Sequence, residues 1–139
     1  MTATSSTGYS GKSLAAKLGY KAGMVAHVHS APSNYVELLG ELPVGVVFDT
    51  TPNARTSLVH VFATSFDALK LWVTNIAPTL APDAMLWVSW PKKASRVATD
   101  LSEDRVRELA FPLGLVDVKV CAVDATWSAL KLVRRKALR

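Results

Sequence analysis

Short apolar runs alternate with amphipathic segments along most of this chain. Four of the runs are rich in β-branched and aromatic residues and have the length of strands: they lie at residues 24–29, 44–48, 58–63 and 84–90. Polar turns or segments with helical spacing separate each run from the next. Strands that alternate with helices in this way are typical of a parallel sheet that helices cover.

Four segments between or beside these runs have the pattern of helices. The clearest has apolar positions at helical spacing: Phe66, Leu69, Trp72, Val73 and Ile76. A serine that can act as N-cap precedes each segment: Ser10, Ser33, Ser65 and Ser102. We expect the first helix to stop at Gly19, the second near Gly40 and the third before Pro78.

The C-terminal part changes character. Two apolar runs, at residues 116–123 and 129–133, are joined by residues 124–128 alone. A connection this short cannot contain a crossover helix, so the pair is predicted to be an antiparallel hairpin. The sequence therefore predicts a three-layer, Rossmann-like α/β domain with about six mostly parallel strands. By analogy with methyltransferase-like sheets, we expect the strand order 2-1-3-4-6-5.

The composition indicates one folded domain. The chain has 139 residues, of which 50% are hydrophobic and 19% charged. We place a polar N-terminus at residues 1–9, the domain at 10–134 and a basic tail at 135–139. The single cysteine, the short apolar runs and the lack of a signal-peptide pattern predict a cytoplasmic protein without a membrane partner.

The formal net charge of +5 comes from the C-terminus. Residues 131–139 include five basic residues and no acidic one, namely Lys131, Arg134, Arg135, Lys136 and Arg139. Without them, basic and acidic residues balance. Such an end can attract nucleic acid without sequence specificity, or it can be a solvated terminus, and both interpretations stay open.

The N-terminal segment 6–13 ends in Gly11-Lys12-Ser13, as a phosphate-binding P-loop does. A P-loop has glycine five residues before that Gly-Lys pair, where this chain has Ser6, and it follows a buried strand. The residues before Ser6 have no strand pattern. The segment is therefore predicted to lead into a short helix and not to bind nucleotide as a P-loop.

Ligands of open α/β sheets bind at the carboxyl ends of the strands. The candidate ligand-binding residues are accordingly those at the predicted strand ends, together with one on the first helix: Lys12, Ser30, Asp49, Trp90, Lys92 and Lys93. Two adjacent lysines beside an indole can hold an anion. The first helix could fold over this edge as a lid, which would place Lys12 opposite Lys92.

Methyl transfer from S-adenosylmethionine is a second hypothesis. The predicted fold suits this cofactor, and Asp49 follows the second strand, where an acidic residue can hold ribose hydroxyls. However, the turn after the first strand, residues 29–34, contains none of the glycines that let a cofactor approach the backbone. The cofactor therefore stays unknown.

No complete catalytic or metal-binding motif is present in the sequence. His27, His29 and His60 fall on neighbouring strands, but no carboxylate is placed to orient them, and we predict core or half-buried histidines and no metal site. Cys121 has no nearby base and is predicted to be a small buried side chain. We assign no catalytic residue.

Three motifs together resemble a small bacterial domain family of unknown function. They are Gly8-Tyr-Ser-Gly-Lys-Ser-Leu14, Leu86-Trp-Val-Ser-Trp-Pro-Lys-Lys93 with Val97-Ala-Thr-Asp-Leu101, and Leu113-Gly-Leu-Val-Asp-Val-Lys-Val-Cys-Ala-Val-Asp124 with Thr126-Trp-Ser128. The resemblance spans most of the chain and implies a stand-alone cytoplasmic α/β protein, but it implies no activity. The position after Lys12 is often proline in such proteins and is Ser13 here.

We interpret the sequence as a module that binds a small anion, a nucleotide or a protein partner and is not evidently catalytic. The two alternatives are an atypical S-adenosylmethionine-dependent methyltransferase-like enzyme and a nucleic-acid-associated protein that binds through its basic tail.

Overall fold

The computed structural model describes residues 12–136, which form a six-stranded sheet between two layers of helices. The strands are β1 (Val25–His29), β2 (Val47–Phe48), β3 (Leu58–Phe62), β4 (Met85–Pro91), β5 (Leu115–Ala122) and β6 (Trp127–Arg134). The helices are α1 (Leu14–Leu18), α2 (Tyr35–Leu39), α3 (Phe66–Ile76) and α4 (Glu103–Ala110). Short 3-10 turns lie at Ala77–Thr79, Lys93–Ser95 and Phe111–Leu113.

The strand order is β2-β1-β3-β4-β6-β5, which confirms the prediction. The strands β1 to β4 run parallel, whereas β6 runs antiparallel to both β4 and β5. The link between β5 and β6 joins neighbouring strands directly and is too short to hold a crossover, so this pair is antiparallel. β5 therefore runs in the same direction as β1 to β4, and the carboxyl ends of these five strands meet at one edge of the sheet.

Each face of the sheet has its own core. Leu69 of α3 and Val106 of α4 pack with Val61 and Val88 on one face, which we call the α3 face. Leu18 of α1 and the α2 residues Tyr35 and Leu39 pack on the other, the α1 face. Alternation along β4 places Trp87 on the α1 face and Trp90 on the α3 face, as their spacing predicts.

Two of the four predicted N-caps are confirmed, and two are wrong. Ser65 and Ser102 accept hydrogen bonds from the first turns of α3 and α4. The cap of α1 is Ser13, whose hydroxyl accepts from the Ala16 N–H at 3.1 Å, whereas Ser10 lies outside the described residues. The cap position of α2 is Asn34 rather than Ser33, and its side chain makes no capping hydrogen bond. Tertiary contacts of Tyr35 hold α2 instead.

The strand β2 is shorter than the predicted run 44–48. Gly45 has φ +81°, and the Val44 carbonyl accepts from the Gly23 N–H at 2.9 Å. The chain therefore turns before Val47 and cannot be extended there. A two-residue edge strand leaves little backbone open to pairing.

A buried chain of hydrogen bonds crosses the α1 face. The Tyr20 and Tyr35 hydroxyls lie 2.8 Å apart, the Tyr35 hydroxyl lies 2.8 Å from His60 Nδ1, and His60 Nε2 lies 2.6 Å from Ser89 Oγ. All four side chains are buried. Nearby, Trp87 Nε1 donates to the Leu18 carbonyl at 2.7 Å and fixes the end of α1. The hydrogen-bond chain from Tyr20 to Ser89 thus links β3 and β4 to α2 and to the segment that follows α1.

None of the helices in residues 12–136 is both long and apolar enough to cross a membrane.

Burial of His60 makes the protein less stable in acid. Burial lowers the pKa of His60 from 6.5 to about 3, so the native state excludes a proton that the unfolded chain binds. This stabilisation is complete above pH 6.5 and is lost as the pH falls towards 3. We expect the free energy of unfolding to fall by about 1.4 kcal/mol per pH unit below the unfolded pKa because of His60 alone.

Urea unfolding at several pH values between about 7 and 5 measures this slope, a range in which few carboxylates titrate. The variant His60→Gln should be less stable at every pH but should lose this slope, whereas His29→Gln should retain it. An unchanged slope in His60→Gln would contradict the assignment.

Candidate functional site

A recess of the carboxyl edge lies at the end of β4, on the α3 face. It has a volume of about 570 Å³, within the range of ligand pockets. We call it the β4 cavity, and its lining is Trp90, Pro91, Lys92, Lys93, Arg96, Val97, Ala98, Thr99, Leu101, Ser102, Glu103 and Ser128. Three of the predicted ligand-binding residues, Trp90, Lys92 and Lys93, therefore lie together.

The charge of the β4 cavity is strongly positive. Lys92, Lys93 and Arg96 supply three cations, and Glu103 is the one acidic residue of the lining. The Glu103 carboxylate pairs with Arg107, which also pairs with Asp104 and Asp117. The three cations of the cavity therefore have no carboxylate of their own within the lining.

Hydrogen bonds fix the loop that forms this cavity. The Lys92 N–H donates to the Thr126 carbonyl at 2.7 Å, and Ser95 Oγ donates to the Lys92 carbonyl at 2.6 Å. At the other end of the loop, Thr99 Oγ1 donates to the Thr64 carbonyl at 2.6 Å, and the Asp100 carboxylate accepts from the Phe66 N–H at 2.8 Å. The loop is thus tied to the hairpin and to the start of α3, and the cavity is preformed.

The side chain of Trp90 belongs to the core as well as to the cavity. It is 6% exposed and packs among the residues of the α3 face. The indole is therefore part of a wall and not an open platform on which a ring could stack. Trp87, on the other face, is fully buried.

Two residues in the described part of the chain combine a side chain with a left-handed backbone. Ser30 has φ 58° and Arg96 has φ 63°, and no other non-glycine residue within 12–136 has a positive φ. Ser30 follows β1 directly, and Arg96 lies in the loop after β4. Such conformations cost of order 1–3 kcal/mol and concentrate at functional sites. The two strained residues therefore lie at the carboxyl edge of the sheet, where the cations of the β4 cavity also lie.

Asp49 directly follows β2, which is the outermost strand on the side of β1, so β1 and β3 separate it from β4. Its N–H donates to the Ala26 carbonyl at 2.8 Å, its carbonyl lies 3.0 Å from His27 Nδ1, and its carboxylate accepts from Asn53 Nδ2 at 3.1 Å. Asp49 therefore lies beside His27 in the sheet. Ser30 is three residues further along the β1 direction, which corresponds to about 10 Å. Ser30 and Asp49 do not line the β4 cavity.

Lys12 precedes α1, which packs on the other face of the sheet through Ala15 and Leu18. The lining of the β4 cavity does not include Lys12. The lid that would bring Lys12 over Lys92 stays a prediction.

The histidines and the cysteine have different environments. His60 lies on the α1 face and His27 and His29 on the α3 face, so the three imidazoles do not converge. No group of three or more potential metal ligands occurs within residues 12–136. Burial raises the pKa of the Cys121 thiol. The raised pKa keeps the thiol protonated, which is its unreactive form.

Two arginines near the C-terminus contact the ends of helices. Arg134 Nη2 donates to the Ala77 carbonyl at 3.0 Å, just after α3. Arg135 Nη1 donates to the Phe111 carbonyl at 3.1 Å, just after α4, and its guanidinium lies over the Phe111 ring. Cations at these positions stabilise helix C-termini, so both arginines have a structural role.

Arg96 is the site residue that the sequence did not indicate. It stands three positions after Lys93, and a lysine pair followed by arginine at this spacing is a weak signal of an anion site. A left-handed arginine has no sequence signature, because glycine and asparagine are the residues expected there. Ser128 was missed as well, since it enters the lining through the β4–β6 pairing.

No protein-family model and no curated protein matches the chain. Solved structures match it at low identity. An S-adenosylmethionine (SAM)-dependent methyltransferase from Aquifex aeolicus is 13% identical with a TM-score of 0.59, over 84% of this chain and 85% of that one. The fold is methyltransferase-like.

Two other structures support the same conclusion. The magnesium protoporphyrin IX methyltransferase from Synechocystis PCC 6803, solved with bound SAM, has a TM-score of 0.55 at 12% identity, over 87% of this chain and 74% of that one. A tRNA methyltransferase from B. subtilis has a TM-score of 0.58 at 9% identity, over 87% and 63%. Likeness at this level of identity shows the fold alone.

Backbone strain at the site can be measured by glycine substitution. Glycine adopts φ near +60° without the steric penalty of a side chain, so Ser30→Gly and Arg96→Gly should each raise the free energy of unfolding by on the order of 1 kcal/mol. The matched control Ala98→Gly, in the same loop as Arg96 at an ordinary φ, should lower it by about 0.5–1 kcal/mol. Chemical denaturation measures the free energy of unfolding of each variant. A lower value for both Ser30→Gly and Arg96→Gly would contradict the prediction and show that the two side chains hold the loops.

Proposed function

We propose that the protein is a binding module for a small anionic ligand, such as a phosphate-bearing metabolite, at the β4 cavity. The observation that carries this proposal is the convergence of Lys92, Lys93 and Arg96 on one preformed cavity whose single acidic residue is paired with Arg107. Cations that line one cavity repel one another, and a bound anion relieves that repulsion.

The cavity is suited to binding more than to catalysis. Its lining contains no histidine or cysteine, and its Thr99 hydroxyl donates to a backbone carbonyl. The Ser102 hydroxyl accepts from the Arg105 N–H and is thereby used as a cap. The start of α4 also faces the cavity, where the helix dipole adds to the positive potential.

Binding of inorganic pyrophosphate by isothermal titration calorimetry tests the proposal. We expect saturable binding that weakens as salt rises, because these cations are at least partly solvated. Lys92→Ala, Lys93→Ala and Arg96→Gly should each weaken the affinity by roughly two- to fivefold. Arg96→Gly is the sharpest variant, since it removes the charge while relieving backbone strain.

The matched control is Lys70→Ala, which removes one positive charge from the exposed side of α3 and leaves the cavity intact. It should bind pyrophosphate as the unchanged protein does. An equal loss of affinity in Lys70→Ala would show that the effect comes from the net charge of the protein and not from the cavity. Absence of pyrophosphate binding at low salt would refute an anion site of this kind.

A methyltransferase-like activity with S-adenosylmethionine is the second candidate. Two observations favour it: the likeness to structures of SAM-dependent methyltransferases, and the left-handed turn at Ser30, which places after β1 the backbone conformation that glycine usually supplies. The absence of glycine from residues 29–34 counts against it.

Titration with S-adenosylmethionine and S-adenosylhomocysteine tests this candidate. If the cofactor lies along the edge with its ribose at Asp49, the isosteric Asp49→Asn should weaken binding about tenfold, because a charged acceptor is lost while the contact to Asn53 can persist. Asp67→Asn, on the exposed side of α3, is the control. No heat of binding at about 1 mM cofactor, where a ligand of this size should saturate its site, would exclude the candidate.

A further inference from the structure

A second recess lies on the α3 face, beside β1 and away from the β4 cavity. Its volume is about 230 Å³, and its lining is His27, His29, Thr50, Thr51, Pro52, Trp72, Asn75 and Ile76. We call it the β1 recess. Since α3 packs over the middle of the sheet, the two recesses lie on opposite sides of this helix and share no residue.

Aromatic rings form one wall of the β1 recess. The centroids of His29 and Trp72 lie 4.5 Å apart with the rings edge to face, and those of His27 and His29 lie 5.8 Å apart. The hydrogen bond between His27 Nδ1 and the Asp49 carbonyl fixes the first imidazole. Three rings therefore line a surface against which another planar ring can pack.

The opposite rim is a short, internally bonded loop. Asn53 donates through Nδ2 to the Thr51 carbonyl and to the Asp49 carboxylate, and its N–H donates to Thr56 Oγ1 at 2.9 Å. Residues 49–57 form no helix between β2 and β3. No helix therefore covers the outer half of β1 on this face, which is why the recess exists.

Several polar groups of the recess have no partner within residues 12–136. The ring nitrogens of the half-buried His29 take part in no hydrogen bond there, and neither do the Asn75 amide or the Thr51 hydroxyl. Burial lowers the pKa of His29, with a further contribution from His27. Its neutral imidazole offers one donor and one acceptor to a ligand.

The size of the recess narrows the ligand class. An apolar cavity of about 150 Å³ takes a benzene ring, and pockets for drug-sized molecules start near 300 Å³. The β1 recess lies between these limits. It suits one ring or two fused rings, with hydrogen-bonding atoms on the edge.

From the aromatic wall, the unpaired polar groups and the volume, we propose that the β1 recess binds a planar nitrogen heterocycle of purine size, stacked against Trp72 and hydrogen-bonded to His29 and Asn75. The site is separate from the proposed anion site and does not depend on it. The heterocycle can be a free base or the base of a nucleoside, and the probes below distinguish the two.

Side-chain imidazole NMR of the full chain provides the test, because His29 is more exposed than His27 and His60. Adenine and adenosine are the probes. We expect one or both to shift the His29 resonances in a saturable way, with a dissociation constant on the order of 1 mM, since a ligand of about ten non-hydrogen atoms yields modest affinity. The His60 resonances, on the other face, should not move.

Trp72→Leu keeps an apolar side chain on α3 but removes the stacking ring, and it should weaken binding at least about tenfold. Asn75→Ala, at a position exposed on the helix, should weaken it less and keeps the test valid if Trp72→Leu does not fold. Leu71→Ala, at the neighbouring exposed position, is the control and should bind normally.

No saturable shift with either probe would overturn the proposal, as would equal affinities in Trp72→Leu and the unchanged protein. Equal binding of indole, which lacks a ring-nitrogen acceptor, would overturn the hydrogen-bonding part of it. Pyrophosphate should leave His29 unchanged, so failure here and failure of the anion site are distinguishable.

Discussion

The buried hydrogen-bond chain from Tyr20 through Tyr35 and His60 to Ser89 is the constraint on which the rest of the structure depends. Each member lies in an apolar core, where a polar group without a partner costs about 1–3 kcal/mol. The position of a single proton on the His60 ring sets the direction of the whole chain. If Nε2 carries it, Ser89 accepts, and both tyrosines donate towards Nδ1. If Nδ1 carries it, Tyr35 accepts and donates onward to Tyr20.

This hydrogen-bond chain, together with the hydrogen bond from Trp87 beside it, explains how two five-residue helices persist. Helices of this length are unstable alone, so α1 and α2 depend on tertiary contacts. Tyr35 anchors α2 to His60, and the Leu18 carbonyl anchors α1 to the Trp87 indole. The strain at Arg96 is held elsewhere, by the hydrogen bonds that tie the loop after β4 to the Thr126 and Thr64 carbonyls.

Much of the fold follows from period-2 and helical patterns, while most of the site does not. The antiparallel hairpin and the caps Ser65 and Ser102 were predictable because link length and capping are local signals. The strand order is not local, and its prediction came from the analogy with methyltransferase-like sheets. The start of α1 was not, since Ser10 and Ser13 are equally good caps by residue type. Lys92 and Lys93 were found from strand-end position. Arg96, and the meeting of His29 with Trp72, depend on loop dihedrals and helix rotation, which composition does not encode.

The likeness to methyltransferases and the chemistry of this chain point to different parts of the same edge. In a sheet of this topology the turn after β1 usually receives the cofactor, and glycines there allow close approach. Here that turn holds Ser30 and no glycine, while the positive charge has collected after β4. A fold fixes where loops meet but not which loop carries the binding groups. The scaffold of this chain is methyltransferase-like, whereas the cations at its carboxyl edge lie in the loop after β4.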